Sequence, residues 1–273
     1  MIVGLVMVVG GMAAGLFGSL LGLGGGILIV PLLTLGFGLP LLAAVGVSLV
    51  CVIVTSGASA GVYLERHVAN LRLGMTLELF TAVGALGGGL VAFLLPDQVL
   101  ELLFAGLLIY VAVTMARRRD PPPEVLADGS VGSLPSETPS SFVAALSGPG
   151  YRVRRLGLGA VGSVGAGVVS ALLGIGGGLV KVPVMHVVMG VPLRVATATS
   201  NLMIGITASA GAIVYLLRGG IDPYVAAPTA IGVFVGASIG SRVAHRIHLG
   251  ILRALFVVIL LYTSWQMLQR ALS

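Results

Sequence analysis

The sequence predicts an all-α integral membrane protein of two homologous repeats in inverted orientation, each opening with a glycine-broken re-entrant hairpin followed by three membrane-crossing helices. Three observations predict it. The 273 residues are 57% hydrophobic and only 9% charged, with a mean hydropathy of +1.12, whereas a soluble domain carries about 25% charged residues to cover its surface. No charged side chain appears from Met1 to Leu64, a stretch that can supply up to three passes at about 20 apolar residues each. The chain also repeats itself at one fixed offset.

That offset is set by Gly22-Leu23-Gly24-Gly25-Gly26 against Gly174-Ile175-Gly176-Gly177-Gly178, which stand 174 − 22 = 152 residues apart. Without a gap it also pairs Gly15 with Gly167, Pro31 with Pro183, Pro40 with Pro192, Ser48 with Ser200, Tyr63 with Tyr215, Gly84 with Gly236, Gly88 with Gly240, Phe104 with Phe256 and Tyr110 with Tyr262. A register held over about ninety residues marks a duplicated unit. The first repeat covers 1–116 and the second 156–273. Between them, 117–155 runs from Arg117-Arg118-Arg119-Asp120 through Pro121-Pro122-Pro123 and a Ser/Gly/Pro-rich stretch to Arg152, Arg154 and Arg155. Such a composition buries too little apolar area to fold alone and predicts a mobile, cytoplasmic linker, with at most a short amphipathic turn near Phe142 to Leu146.

Within the first repeat the apolar runs predict crossings at 41–64, 74–95 and 99–116, ended by Glu65-Arg66-His67, by Pro96-Asp97 and by the triple arginine. Their counterparts fall at 194–217, 224–241 and 252–269. Each repeat opens with an apolar segment that the glycine cluster interrupts. Beyond the cluster, Ile27 to Gly38 is 12 residues, about 18 Å of helix, too short for a core of about 30 Å. Either one long crossing is broken there, or a hairpin enters and leaves on one face.

Charge placement arbitrates. With the triple arginine and Arg152, Arg154 and Arg155 in the cytoplasm, the loop of Arg66, His67 and Arg72 is cytoplasmic as well. The basic cluster of the second repeat, Arg242, His245, Arg246, His248 and Arg253, matches the Pro96-Asp97 turn of the first, which lies outside. Both obey the positive-inside rule only if the second repeat is inverted. Inversion requires an odd number of net crossings per repeat, hence a hairpin with no net crossing, and it puts both termini in the periplasm of a bacterial inner membrane. The opening stretch is not a signal peptide: no basic residue precedes it, it is too long, and no polar domain follows.

The net charge of +6 does not imply nucleic acid, because the basic residues sit in short connections where they orient helices in the lipid bilayer. Cys51 reads as a small buried hydrophobe with no disulfide partner in the chain. There is no Ser/His/Asp set, no pair of carboxylates at depth and no metal-ligand spacing, so neither catalysis nor a cofactor is expected.

A helix broken at glycine inside a membrane survives only where its freed backbone groups are buried in protein or line a wet cavity. The half-helices starting at the ends of the clusters present free N–H groups and a positive dipole end, and glycine lets a ligand approach without a Cβ in the way. Two such starts, at Gly24, Gly25 and Gly26 and at Gly176, Gly177 and Gly178, would form a midplane site for a small inorganic or organic anion. The competing reading is close helix packing, which Gly84/Gly88 and Gly236/Gly240 are expected to serve. A nucleotide loop is excluded: no Lys-Ser/Thr follows, and Ile27 and Leu179 stand where a dinucleotide fingerprint needs glycine.

Ser48, Ser200 and Asn201 can complete an anion's shell or, for the hydroxyls, bond the preceding turn's carbonyl. Lys181 would add formal charge to one half of the site, against the alternative of snorkelling toward an interface. Glu78 reads as interfacial and His186 as a packing residue. Thr55, Ser56, Ser59, Thr197, Thr199 and Thr207 are further polar candidates for the lining.

A Gly-x-Gly-Gly-Gly cluster followed by an apolar run to a proline, in both halves of a chain split by a polar linker, resembles the TauE/SafE sulfite-exporter family over nearly the whole chain. The resemblance implies a secondary carrier of sulfur-containing or organic anions such as sulfite, sulfonates, thiosulfate or sulfoacetate. It leaves open a scaffold subunit of a sulfur or redox complex, an anion channel, and the oligomeric state, a homodimer included.

Overall fold

The computed structural model describes residues 2–21, 25–65, 69–117, 146–147, 151–243 and 249–272. They form helices α1 (Ile2–Leu21), α2 (Gly26–Pro31, continued by a π-helical turn Leu32–Gly36), α3 (Leu41–Glu65), α4 (Leu71–Ala92), α5 (Asp97–Arg117), α6 (Leu156–Leu173), α7 (Gly178–Pro183, continued by a π-helical turn Val184–Val188), α8 (Leu193–Leu217), α9 (Pro223–Val243) and α10 (Leu249–Leu272). Eight of these are long and apolar enough to cross a membrane, all but α2 and α7. The chain is therefore an all-helical, multi-pass membrane protein. Its outer surface agrees: Met75, Leu79 and Val83 stand exposed one turn apart along α4, where lipid rather than water is the compatible neighbour.

Helices α2, α3, α4 and α5 begin at residues 26, 41, 71 and 97, and α7, α8, α9 and α10 at 178, 193, 223 and 249, each 152 later. The two short helices share one irregularity. Pro31 and Pro183 lie inside them, and the wider π turn begins at the next residue, where the missing proline N–H has already broken the regular ladder.

Small residues set the helix contacts. A Cβ on Gly232, Gly236 or Gly240 would run into the backbone of Val8, Met12 or Leu16. The numbers rise together, so α1 and α9 run parallel. Gly84 faces Val164 and Gly88 faces Val168 in the same way, so α4 and α6 are parallel too. The glycine pairs expected to serve close packing do so, with backbones in direct contact. In contrast α3 and α8 oppose each other: Gly46 lies beside Tyr215, Leu49 beside Gly211, and Ser56 beside Gly205. Equivalent helices packed antiparallel are the arrangement that units of opposite orientation would give.

The opening of the first half doubles back. Gly25 lies beside Ala14, and Leu32 beside Gly10, so α2 returns along α1 toward the end from which α1 started. This geometry fits the hairpin rather than the long broken crossing. Its first arm, however, is itself long and apolar enough to cross a membrane, as is α6 in the second half, so that among the described residues each half has four such helices where three were expected.

Of the linker, residues 146–147 and 151–155 are described, and they are tied down: Leu146 and Val153 are buried against Leu73, Leu77, Met185 and Met189, and Arg154 N–H donates to Met189 O at 3.0 Å. The expected turn at 142–145, together with Gly22, Gly24, Arg66, His67, His245, Arg246 and His248, lies outside the described residues.

Candidate functional site

Each glycine break ends in a left-handed residue followed at once by a helix. Gly25 (φ 73°) caps α2 and Gly177 (φ 75°) caps α7, a backbone conformation that any side chain would strain. Gly26 and Gly178 are the first residues of the two short helices. As at every helix start, the leading N–H groups, Gly26 and Ile27 in one and Gly178 and Leu179 in the other, have no intrahelical acceptor. Gly176 (φ 78°) completes the second cluster, and Gly24 lies outside the described residues.

The two breaks meet. A Cβ on Gly26 would collide with the Gly174 carbonyl oxygen, so the helix start of one half touches the break of the other. Ser48, on α3, donates to that carbonyl at 2.7 Å, with Gly26 O at 3.3 Å. Its one proton therefore goes neither to the preceding turn nor outward; it braces the junction.

Beside the second start stand hydroxyls of another kind. Ser170 and Ser200 are buried, and neither Oγ has a hydrogen-bond partner among the described residues. Ser200 Oγ lies 3.4 Å from the position of a Cβ on Gly178, and the Ser170 Cβ 3.3 Å from that on Gly177. The position equivalent to Ser170 in the first half is Gly18, so the Ser170 hydroxyl exists once. A buried hydroxyl without a partner is costly; here one stands against the cap of α7. Asn201 is 8% exposed, and its carbonyl accepts from Ser56 at 3.0 Å.

Lys181 is the only lysine in the chain and does not snorkel. Its ammonium is buried inside the bundle and donates to Glu78 Oε2 at 2.9 Å, their side chains 1% and 5% exposed, and it also donates to the Thr207 hydroxyl. Thr207 in turn donates to Glu78 Oε1 at 2.5 Å. The three groups sit on α7, α4 and α8. Side chains of a helix lean toward its N-terminus, so the lysine stem runs back along α7 toward Thr207. The first-half counterpart of Thr207 is Thr55, whose methyl lies against Gly25. At the equivalent positions of the opposite halves stand Ile29, Ala230 and Thr55. The charged set exists once.

The interfacial reading of Glu78 is thereby corrected. Asn70 caps α4 through Oδ1, accepting from Leu73 N, so the helix starts earlier than the apolar run suggests and Glu78 lies about 10 Å inside it. Asn70 also donates to Leu146 O at 2.8 Å and to the Tyr151 hydroxyl at 2.7 Å, and its N–H donates to Thr199, one residue from Ser200. The end of the linker is thus clamped over the entrance of α4 and α8. Half-burial there holds the Tyr151 phenol above its usual range, with the Asn70 hydrogen bond offsetting part of the shift.

Of the further lining candidates, Thr55 and Thr197 bond the preceding turn of their own helices, and His186 Nδ1 lies 2.9 Å from Val191 O; the Ser59 side chain lies outside the described ones. Residue-by-residue reading missed the Lys181–Glu78 partnership and Ser170. One signal could have found the first: a lone lysine and a lone carboxylate, each alone in an apolar helix, compensate one another in a low-dielectric interior.

The model of a family described as Sulfite exporter TauE/SafE matches residues 7–267. Among curated proteins, the chain is 23% identical over 271 residues to YunE of Bacillus subtilis, covering 96% of each chain, and 25% identical over 243 residues to YdhB of the same organism, covering 89% of each. A protein of Methanocaldococcus jannaschii is 27% identical over 257 residues, covering 89% of this chain and 86% of its own. All three are named as probable membrane transporter proteins. No solved structure matches.

Proposed function

Because this chain belongs to the TauE/SafE sulfite exporter family, a family of membrane transporters, we propose that it is a secondary carrier for a small sulfur-containing or organic anion of the sulfite, sulfonate, thiosulfate or sulfoacetate class. The substrate binds where the two glycine breaks meet. The observation that carries this reading is the contact of Gly26 with the Gly174 carbonyl: the helix start of one half meets the break of the other instead of facing lipid. The N–H groups of Gly178 and Leu179, the Ser170 and Ser200 hydroxyls and the Asn201 amide supply donors, and the positive end of α7 favours negative charge. Relative movement of the two halves about this junction would open it first to one face and then to the other.

The halves lie in opposite orientation, with the linker in the cytoplasm and both termini in the periplasm of an inner membrane. Arg72, Arg117, Arg152, Arg154 and Arg155 support this, because α4 and α6 start, and α5 ends, at one end of the bundle.

Counterflow in proteoliposomes of the purified protein tests the carrier reading. Radiolabelled sulfite, methanesulfonate, thiosulfate or sulfoacetate outside should transiently accumulate when vesicles are preloaded with the same unlabelled anion. A channel gives flux without counterflow, and a scaffold subunit gives neither.

A further inference from the structure

We propose that Glu78 is a tethered stand-in for the substrate: Lys181 holds Glu78 while the site is empty, and an anion takes over Lys181 only as Glu78 takes up a proton, so that one proton travels with each anion. This rests on the carrier reading above and adds its coupling ion.

The geometry points to it in three steps. First, the pair is closed and neutral. Lys181 Nζ meets Glu78 Oε2 at 2.9 Å, and Thr207 accepts from the lysine and donates to the other carboxylate oxygen. Second, the pair stands at the glycine break, since the lysine begins one turn after the Gly177 cap, its N–H donating to Gly177 O at 3.0 Å. An ammonium on a four-carbon stem can swing between a carboxylate on α4 and an anion at the start of α7 without moving the backbone. Third, among the described residues no other charged side chain stands beside the pair; Tyr151 of the linker bonds Asn70 at the start of α4. Helix α4 packs on α6 and α8. Helix α6 carries no titratable residue. On α8, Tyr215 donates to Ala171 O, and Arg194 lies in the first turn, its side chain outside the described ones. On α4 itself, Arg72 is at the exposed start, and on α7 the next titratable group, His186, lies beside Val191 O. Cys51 on α3 is a buried thiol.

A monovalent anion such as a sulfonate entering this neutral site would leave one uncompensated negative charge in a low-dielectric interior, which is strongly unfavourable. A proton bound to the Glu78 carboxylate restores neutrality: an O–H bond forms on the carboxylate, Lys181 stays an ammonium, and its hydrogen bonds pass from Glu78 to the anion. Thr207 can remain bonded to both partners throughout, reversing only the direction of its hydrogen bond to Glu78.

The test uses proteoliposomes with the membrane potential clamped at zero and radiolabelled methanesulfonate, a monovalent anion. With one proton per anion, an inward gradient of one pH unit should concentrate the anion up to about tenfold, and adding anion outside wild-type vesicles should acidify their interior, read by a trapped dye. In Glu78→Gln the ratio of uptake with and without the gradient should fall to one. Anion exchange by the wild type with no response to the gradient and no proton movement overturns the inference and leaves the carrier reading standing. So does a Glu78→Gln variant that responds like the wild type. Failure of the wild type to exchange any anion removes both. If the variant cannot be purified, the wild-type dye measurement decides alone.

Discussion

Replacing Lys181 with methionine removes a charge from the centre of a bundle where its partner cannot reach water. Glu78 would keep only the Thr207 hydroxyl, with its side chain 5% exposed. Breaking a buried pair by removing one member costs about 3–5 kcal/mol, because the survivor is left uncompensated. At about 2–4 °C per kcal/mol for a chain of this size, the melting temperature should fall by roughly 10 °C. Glu78→Gln should cost a comparable amount for the same reason, now with the ammonium stranded. The double variant Glu78→Gln/Lys181→Met carries no charge and should sit within about 1–2 kcal/mol of the wild type, so the two single losses should exceed the double loss by at least about 3 kcal/mol. The sign of the pH dependence follows from proton binding. Lys181→Met folds best with Glu78 protonated, so its native state holds more protons than its unfolded state and its stability falls as pH rises; the double variant lacks this slope. The assay is thermal unfolding of the detergent-solubilised protein, followed by intrinsic fluorescence at several pH values. Additive single and double variants, or a Lys181→Met melting temperature equal to wild type, would refute the reasoning.

Gly167→Ala drives a methyl into the Thr81 carbonyl and the Ala85 N–H on α4 and should destabilise by about 1–3 kcal/mol or more. Two residues away, a methyl at Gly165 meets nothing within 4 Å, so Gly165→Ala should be neutral or gain about 0.5–1 kcal/mol from helix propensity; melting temperatures of the two variants check this, and equal losses would contradict the packing described. Tags at Met1 and Ser273 should both be accessible from the periplasm, with a protease site near Ser133 cut only from the cytoplasm. Termini on opposite faces would contradict the inverted arrangement.

The all-helical membrane fold was legible in the sequence because membrane helices follow from length and hydropathy, and the offset of 152 residues recurs in the helix starts. Predicted crossings fall within a few residues of α3, α4, α5, α8, α9 and α10. The misplaced start of α4 shows why boundaries were harder: Asn70 caps the helix through a hydrogen bond and through contacts to Leu146, Tyr151 and Thr199, which come from distant parts of the chain. The glycine clusters were legible as breaks, since no other residue accepts the backbone angles of Gly25 and Gly177 so cheaply. What each hydroxyl does was not legible. Ser48 and Ser200 are the same residue at the same register, yet Ser48 crosses to the Gly174 carbonyl, a contact that exists only once the halves are packed. The pairing of Lys181 with Glu78 spans 103 residues and breaks the internal symmetry, so the repeat that revealed the architecture concealed the pair.

The central claim, that an anion binds at the junction of the glycine breaks, is tested most directly by counterflow in proteoliposomes carrying Gly178→Ala. Gly178 has an ordinary backbone conformation, and its added methyl would press chiefly on the flexible end of Ile204, at 2.7 Å, with Ser200 Oγ at 3.4 Å, so the variant should fold and melt close to the wild type. The methyl would, however, shield the leading N–H groups of α7. Losing one charge-assisted hydrogen bond to the substrate, about 1.5–3 kcal/mol, should lower anion affinity by about tenfold or more, with exchange at subsaturating anion reduced to match. Exchange at the wild-type rate and affinity in a properly folded Gly178→Ala protein would contradict the account.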